Sequence, residues 1–482
     1  MIDIYYIIDD LAVKCANLGG RGAGDKKMHP DTEADIAVGI IDVLAKEGYC
    51  HGDGAMMGYD GKRYVVIDSN AMKKILSGMI VKLKIGNIYL VKSVDAIYKT
   101  IMQSSLIREF VQQKGIVALR NVVLDMDTMK TYPHGAQWMT RTYMDVDYDP
   151  LATCDWWRRW LTEMVVDGES IAVMQEFFGM AFIDRNRISI ESVLFLYGNG
   201  GTGKSVVQQV ITGLLGDESC DSAELSQICT QDFYAAQVNG KLINFCADMG
   251  DKDFSGGRFK AIASHQPVMV CPKYQAPFMA RDMPLLAACV NKLPVTTDST
   301  RGHWRRQQIV VFDKEIPDEE QDKEYSVKIL AAEASGILNW IMEGRNRLLA
   351  HKGHFTKCAK IMETVEQARI DSSSVLSWMR DNMYSGRPKL GVPGREIRRH
   401  SADVIEEYRE YCRKTGCMPK KNTNLKDDMV QAGAVYEKCL NVDGRVSTGW
   451  RMWKVETAVA DDAESTEGKG AEWQKAVSEL PF

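Results

Sequence analysis

Eight consecutive residues, Gly198-Asn199-Gly200-Gly201-Thr202-Gly203-Lys204-Ser205, place glycines, a lysine and a hydroxyl at the spacing that a nucleotide's phosphates require. The glycines let successive backbone N–H groups close around an anion, and the N-terminus of a following helix adds partial positive charge. In such a loop Lys204 reaches the β- and γ-phosphates of ATP, and the Ser205 hydroxyl ligates Mg2+. Splitting the triphosphate needs three further groups: an acid at the metal, a polar group that orients water, and a cation that meets the charge developing on the γ-phosphate. The chain offers Asp248 for the first, Asn291 for the second, and Arg305 or Arg306 for the third.

The elements around these residues carry the right patterns. Val193-Leu194-Phe195-Leu196-Tyr197 is an unbroken apolar run, as expected of a parallel strand covered on both faces. Beyond the loop, Val206, Val207, Val210, Ile211, Leu214 and Leu215 recur at helical spacing. Three more short apolar runs, 242–246, 285–290 and 309–312, predict further strands of one parallel α/β sheet. Asp248 and Asn291 follow two of these strands, at the carboxyl ends where such sheets bind ligands, so both should converge on the loop. Arg305 and Arg306 immediately precede the last strand.

With 482 residues the chain exceeds one hydrophobic core, and about 100–200 residues per domain predicts roughly three. Twelve scattered cysteines with no paired framework and no leading signal segment suit a reducing cytoplasm. No apolar run approaches the roughly 20 residues that cross a bilayer, so no membrane association is expected. The net charge of −5 does not by itself point to nucleic acid, but its distribution is uneven. Residues 357–455 carry 19 Lys and Arg against 13 Asp and Glu, whereas 456–482 carry two against seven. The C-terminus therefore reads as a basic module followed by an acidic tail.

Upstream, 1–115 reads as an accessory α+β domain with a hairpin turning at Asp60-Gly61, and short strands and turns dominate 115–150. The glycines of 19–24 lack both a preceding strand and a Lys-Ser pair, and read as a plain loop. From Asp155 the pattern turns helical, with Trp156, Trp157, Trp160, Leu161, Met164 and Val165 on one broad apolar face. The expected division is 1–115, a pre-motor segment and helical collar over 116–190, an ATPase core over 191–350, a helical linker over 351–380, a DNA-binding module over 381–455, and the tail. In that module helices are expected over 401–411 and 424–432, and a hairpin over 436–453 turning at Asp443-Gly444. Lys420, Lys421, Lys426, Lys438, Arg445 and Arg451 are its candidate phosphate contacts.

Several phrases occur together in an order that resembles the superfamily-three helicases, within them the phage and plasmid primase-helicase group related to the poxvirus primase-helicase. They are 241–248, the stretch from Pro267-Val268-Met269-Val270 through Tyr274 to Phe278, Asn291-Lys292-Leu293-Pro294, and Trp304-Arg305-Arg306 to Phe312. Leu119-Arg120-Asn121 to Asp125, Pro133-His134 and Asp147 to Pro150 resemble the segment that precedes the motor in that group. Residues 416–453 resemble its winged-helix domain. The resemblance covers roughly 116–455. It implies an AAA+-like P-loop core that hydrolyses ATP at subunit interfaces of a homo-oligomeric ring, usually a hexamer. Such a ring moves 3′ to 5′ along single-stranded DNA at forks or origins, alongside replication proteins. It places the Walker A motif on 198–205, the Walker B acid on Asp248, the polar sensor on Asn291 and the trans-acting arginine on Arg305 or Arg306, with Arg306 favoured. It also implies a hairpin over about 267–278 that touches DNA through Lys273 and Tyr274, with His265 and Lys260 nearby.

The chain departs from the family in two places. The acids nearest Asp248 are Asp251 and Asp253, which leaves the general base unassigned, and Cys271 and Pro272 stand where relatives carry basic hairpin residues. Asp125 and Asp127 do not make a primase metal pair, because no catalytic fold of sufficient length precedes them; the chain reads as a helicase lacking the primase half. Cys412, Cys417 and Cys439 do not have zinc-ribbon spacing. Two other functions compete. One is an ATP-gated initiator that binds and melts an origin without processive unwinding; the other is a small-molecule P-loop kinase, against which the Asn291 and Trp-Arg-Arg boxes speak.

Overall fold

The computed structural model describes residues 33–52, 54–82, 90–185, 187–247, 256–273, 276–293, 296, 300–386, 388 and 394–455. The 19–24 loop, Asp248, Asp251, Asp253, Tyr274 and the acidic tail lie outside the described residues. The chain divides into two compact units, Met1–Asp149 and Pro150–Phe482.

In the first unit, helices Glu33–Lys46, Ser69–Lys82 and Leu90–Met102 pack around Ile40, Leu44, Met72, Ile75, Leu76, Ile97 and Ile101. Strand Cys50–Gly52 extends the hairpin Ala55–Tyr59/Tyr64–Ile67 into a three-stranded antiparallel sheet. The hairpin's turn is fixed by Asp60, whose Oδ1 accepts the N–H groups of Lys62 and Arg63, each at 2.9 Å. A second small sheet, Ile116–Ala118, Val123–Asp125 and Lys130–Tyr132, completes the unit. The hairpin and the second sheet agree with the sequence reading. The last two helices were not expected from it.

The second unit is built on a five-stranded sheet in the spatial order Gln307–Val311, Val193–Tyr197, Leu285–Val290, Ile243–Cys246, Cys220–Asp221, with every neighbouring pair parallel. Alternate residues of the inner strands explain the continuous apolar runs. Val193, Phe195, Leu286, Ala288 and Val290 enter one core with Ile309, Phe259 and Ile262, while Leu194 and Leu196 are buried on the other face. The last expected strand begins two residues earlier than its apolar run, at Gln307. Its register is set upstream, where Val193 N–H donates to the Arg306 carbonyl at 2.7 Å.

Helices Asp155–Val165, Gly168–Gly179 and the 26-residue Tyr325–Ala350 pack against one another in the second unit. The tryptophan face buries as expected, with Trp157 and Trp160 stacked at 5.5 Å and Trp157 edge-on to Trp340 at 5.8 Å. No residue next to this helix caps its N-terminus. Glu333 does so from the long helix, accepting the backbone N–H groups of Trp156 and Trp157, each at 2.9 Å. The reach coincides with a break in the long helix, where Glu333 takes φ −131°. Close approach to the long helix also depends on Gly336, where an added Cβ would overlap the Thr153 carbonyl. We therefore expect Gly336→Ala to destabilise the second unit by about 1–3 kcal/mol, read as a lower denaturation midpoint at unchanged secondary structure.

The C-terminal part joins helix Ser374–Asp381, strand Gly394–His400, helices Ser401–Thr415 and Asn422–Gln431, and the hairpin Val435–Val442/Arg445–Val455. Trp378, Met379, Val404, Tyr408, Leu425, Met429, Trp450 and Met452 form its core. Helix Ser374–Asp381, which lies in the expected linker region, contributes to that core. The hairpin turns at Asp443 (φ 53°) and Gly444 (φ 84°), the paired left-handed conformation that suits a two-residue turn.

Candidate functional site

The 198–203 loop leaves the carboxyl end of the Val193–Tyr197 strand and enters helix Lys204–Leu215, which buries Val207, Val210, Ile211, Leu214 and Leu215. Gly201 and Gly203 adopt φ of 75° and 85°, which exposes backbone N–H groups that a side chain at those positions would turn away. Gly203 also has no room for a side chain, because a Cβ there would lie 2.7 Å from Trp160 Cζ2. The tryptophan helix is thus the floor of the loop. Segment 313–321 braces its flank: Ile316 N–H donates to the Gly201 carbonyl at 2.9 Å, and Asp313 N–H to the Met164 carbonyl at 3.2 Å.

Lys204 is 7% exposed, and its ammonium donates to the Gly198 carbonyl (2.7 Å), the Asn199 carbonyl (2.6 Å) and Thr202 Oγ1 (3.2 Å). Its charge is therefore held inside the curl of the loop, while Ser205 is exposed at the first turn of the helix. The chemistry of this donor set suits ATP phosphates with Mg2+, since loop amides, the Lys204 ammonium and the Ser205 hydroxyl all belong to one loop and helix N-terminus. Asn291 lies beside the loop. Val290 is the register partner of Tyr197, and Gly198 N–H donates to the Val290 carbonyl at 3.2 Å. On the next strand Gln208 of the loop helix donates to the Phe245 carbonyl at 2.8 Å, which ties that helix to the strand leading toward Asp248.

The arginines lie elsewhere. They precede Gln307, which pairs with Val193 at the amino end of the strand whose other end carries the loop. Five residues at roughly 3.3 Å per residue separate the two ends by about 17 Å. Arg306 is 8% exposed and turned inward: it donates to Ser264 Oγ from Nε (3.2 Å) and Nη2 (3.1 Å), donates to the Gly302 carbonyl, and pairs with Glu191 at 3.1 Å. Arg305 also pairs with Glu191, but its side chain is 59% exposed.

An antiparallel hairpin, Val268–Val270 with Phe278–Ala280, occupies the place where the resemblance expects one. Lys273 near its tip is exposed, with Nζ 4.4 Å from the centre of the Phe233 ring. His265 sits at the base with φ 53°, and Lys260 donates to Thr300 Oγ1 at 3.1 Å. Lys260 and Lys273 thus both have protein partners.

Residues 49–166 match the model of the family described as D5 N terminal like. Residues 196–306, which hold the loop, the hairpin and both arginines, match a family of unknown function (DUF5906). Among solved structures, the A form apo structure of the NrS-1 C-terminal region (residues 305–718 of that protein) is similar at 12% identity and TM-score 0.46, covering 86% of this chain and 98% of that one. A second A form apo structure of that region gives 11% identity and TM-score 0.42 at the same coverage.

In the C-terminal part, the basic residues singled out from the sequence separate into two groups. Lys420 is committed to the buried Asp428 at 2.6 Å, and Arg451 to Glu437 at 2.6 Å. Lys426 lies 3.7 Å above the Tyr436 ring, whereas Lys421, Lys438 and Arg445 are exposed. One group of possible metal donors among the described residues, Asp167, Glu169 and Cys358, is already occupied by the fold. Asp167 caps helix Gly168–Gly179 through Ser170 N–H (2.8 Å) and accepts from the Cys358 thiol (3.2 Å), which burial pushes up to about 11. No helix among the described residues is long and apolar enough to cross a membrane.

Three contributors escaped the sequence reading: Trp160 as the floor of the loop, Gln208 as its tie to the next strand, and Glu191 as the acid between the arginines. Nothing in the local pattern marks Glu191, since a carboxylate before an apolar strand is the ordinary solvated boundary of such a strand.

Proposed function

We propose that this chain is an ATP-driven DNA helicase of a mobile element's replication system, whether phage, plasmid or island, acting in the bacterial cytoplasm. It works as a homo-oligomeric ring, a hexamer, that moves 3′ to 5′ along single-stranded DNA. The observation that carries the reading is the separation between Lys204 and Arg305. The loop and Asn291 lie at the carboxyl end of the sheet and an exposed guanidinium at the amino end, about 17 Å away. One chain cannot close its own pocket with that arginine, but a neighbour in a ring can. The D5 N terminal like match supports a place in phage-type replication.

In this reading backbone N–H groups of 198–203 and Lys204 hold the phosphates, and Ser205 with Asp248 hold Mg2+. Asn291 orients the attacking water, and Arg305, rather than the inward Arg306, reaches the neighbour's γ-phosphate. The hairpin lines the channel with Lys273 and Tyr274, backed by His265 and Lys260. One weak contact per subunit gains strength by repetition around the ring.

The C-terminal part, a winged helix in this reading, favours a second possibility: an initiator that uses ATP to assemble on origin duplex and melts it. Exposed Lys421, just before helix Asn422–Gln431, and exposed Lys438 and Arg445 on the hairpin would supply phosphate contacts. A forked-DNA assay with each strand labelled separates the two. The helicase displaces a strand in an ATP-dependent, 3′ to 5′ polar manner, over lengths well beyond one binding site. If opening is confined to one duplex sequence and disappears in Lys421→Ala/Arg445→Ala, the initiator is correct.

A further inference from the structure

Two adjacent arginines share one carboxylate at the amino end of the sheet. Glu191 Oε2 pairs with Arg305 Nη2 and lies 3.1 Å from Arg306 Nη2, and its side chain is 24% exposed. The supports are unequal. Arg306 is also held by Ser264 and the Gly302 carbonyl and is nearly buried, so it cannot leave this site without abandoning three partners. For Arg305 no partner other than Glu191 is described, and its side chain stands mostly in solvent. The backbone fixes the geometry between them, because Val193 N–H donates to the Arg306 carbonyl and the parallel register that pairs Val193 with Gln307 brings residue 191 alongside the arginine pair.

We propose that Glu191 is a positioning residue for Arg305: with Arg306 as an internal brace, it holds the exposed guanidinium at the subunit edge in the orientation that a neighbour's triphosphate needs. The proposal rests on the reading of Arg305 as the trans-acting cation. The charges explain why a carboxylate is required. Two neighbouring guanidinium groups repel, and one carboxylate between them removes the repulsion while leaving a net positive charge for the phosphate. An arginine's rotamer freedom is also large, and holding it in advance lowers the ordering cost when the site closes.

The test uses the full chain, ATP, and mixtures of variants. Glu191→Gln keeps the shape and removes the charge. We expect its kcat to fall about 10- to 100-fold while KM for ATP and nucleotide affinity stay as in the parent, because its own loop is intact. Mixing Glu191→Gln with Lys204→Ala protein should restore turnover, as the Lys204→Ala subunit lends an intact arginine edge to its neighbour's working loop. A subunit that is merely misfolded would not be rescued in this way. Turnover at or above the parent's level, or a loss that Lys204→Ala does not rescue while it rescues Arg305→Ala, overturns the role of Glu191 and leaves the proposed function standing. Parent-like turnover by Arg305→Ala overturns both. Should Glu191→Gln fail to fold, Ser264→Ala loosens the Arg306 brace without changing charge. It should show a smaller kcat loss with the same rescue, and parent-like kcat for it would count against the proposal.

Discussion

Lys204→Ala is expected to lower ATP turnover by about 10²–10³-fold or more, since it removes the cation held in the curl of the 198–203 loop and leaves nothing to replace it. The fold survives the change. The lysine's three acceptors are the Gly198 and Asn199 carbonyls and Thr202 Oγ1. The helix that it begins is anchored by Val207, Val210, Ile211, Leu214 and Leu215. Steady-state hydrolysis beside a thermal denaturation curve checks both halves. Parent-like hydrolysis by this variant would remove the nucleotide assignment itself, and with it every role given to Asn291, Ser205 and the arginines.

Arg305→Ala has the second large effect, a loss of about 10³–10⁵ in turnover if the residue acts as an arginine finger, with nucleotide affinity nearly unchanged. In the proposed ring, its half exposure and its place at the far end of the sheet from its own loop would make this an effect between subunits. Mixed with Lys204→Ala, the variant should recover part of the activity, because some interfaces then combine an intact loop with an intact arginine. Arg306→Ala should behave differently. Removing a guanidinium that is 8% exposed and bonded to Ser264, Gly302 and Glu191 lowers the denaturation midpoint as well as turnover, and so separates a brace from a finger. If Arg305→Ala instead weakens nucleotide binding in a stable monomer, the site is completed within one chain.

The parts of this architecture that are legible in the sequence are those governed by local pattern. Strands 193–197 and 285–290 are continuous apolar runs because both faces of the sheet are covered, and the loop between strand and helix announces itself through glycines. The C-terminal turn is readable for the same reason, since Asp443-Gly444 suits the left-handed pair that the hairpin requires. What stayed hidden depends on tertiary partners. Cys220–Asp221 is a two-residue strand that exists only because Ile243 and Asn244 lie beside it. Gly394–His400 carries Arg395, Glu396, Arg398 and Arg399, and so hides its pairing with the last strand behind charge. Gln307 and Gln308 obscured the start of the edge strand in the same way. At the site itself the loop residues and the neighbouring Asn291 could be named in advance. The sequence could not distinguish Arg305 from Arg306, because which of two adjacent arginines turns inward was decided by Ser264 and Glu191, far from either in the chain.

The break at Glu333 has a consequence for how the second unit comes apart. The long helix gives up regular geometry at the residue whose carboxylate holds the Trp156 and Trp157 amides, so the loosest point of one helix and the first turn of another are a single event. Amide hydrogens at these two places should exchange with solvent together and ahead of the sheet. Because Trp160 lies one turn further on, beneath Gly203, the earliest fraying of this helix would also withdraw the support on which the glycine loop keeps its shape.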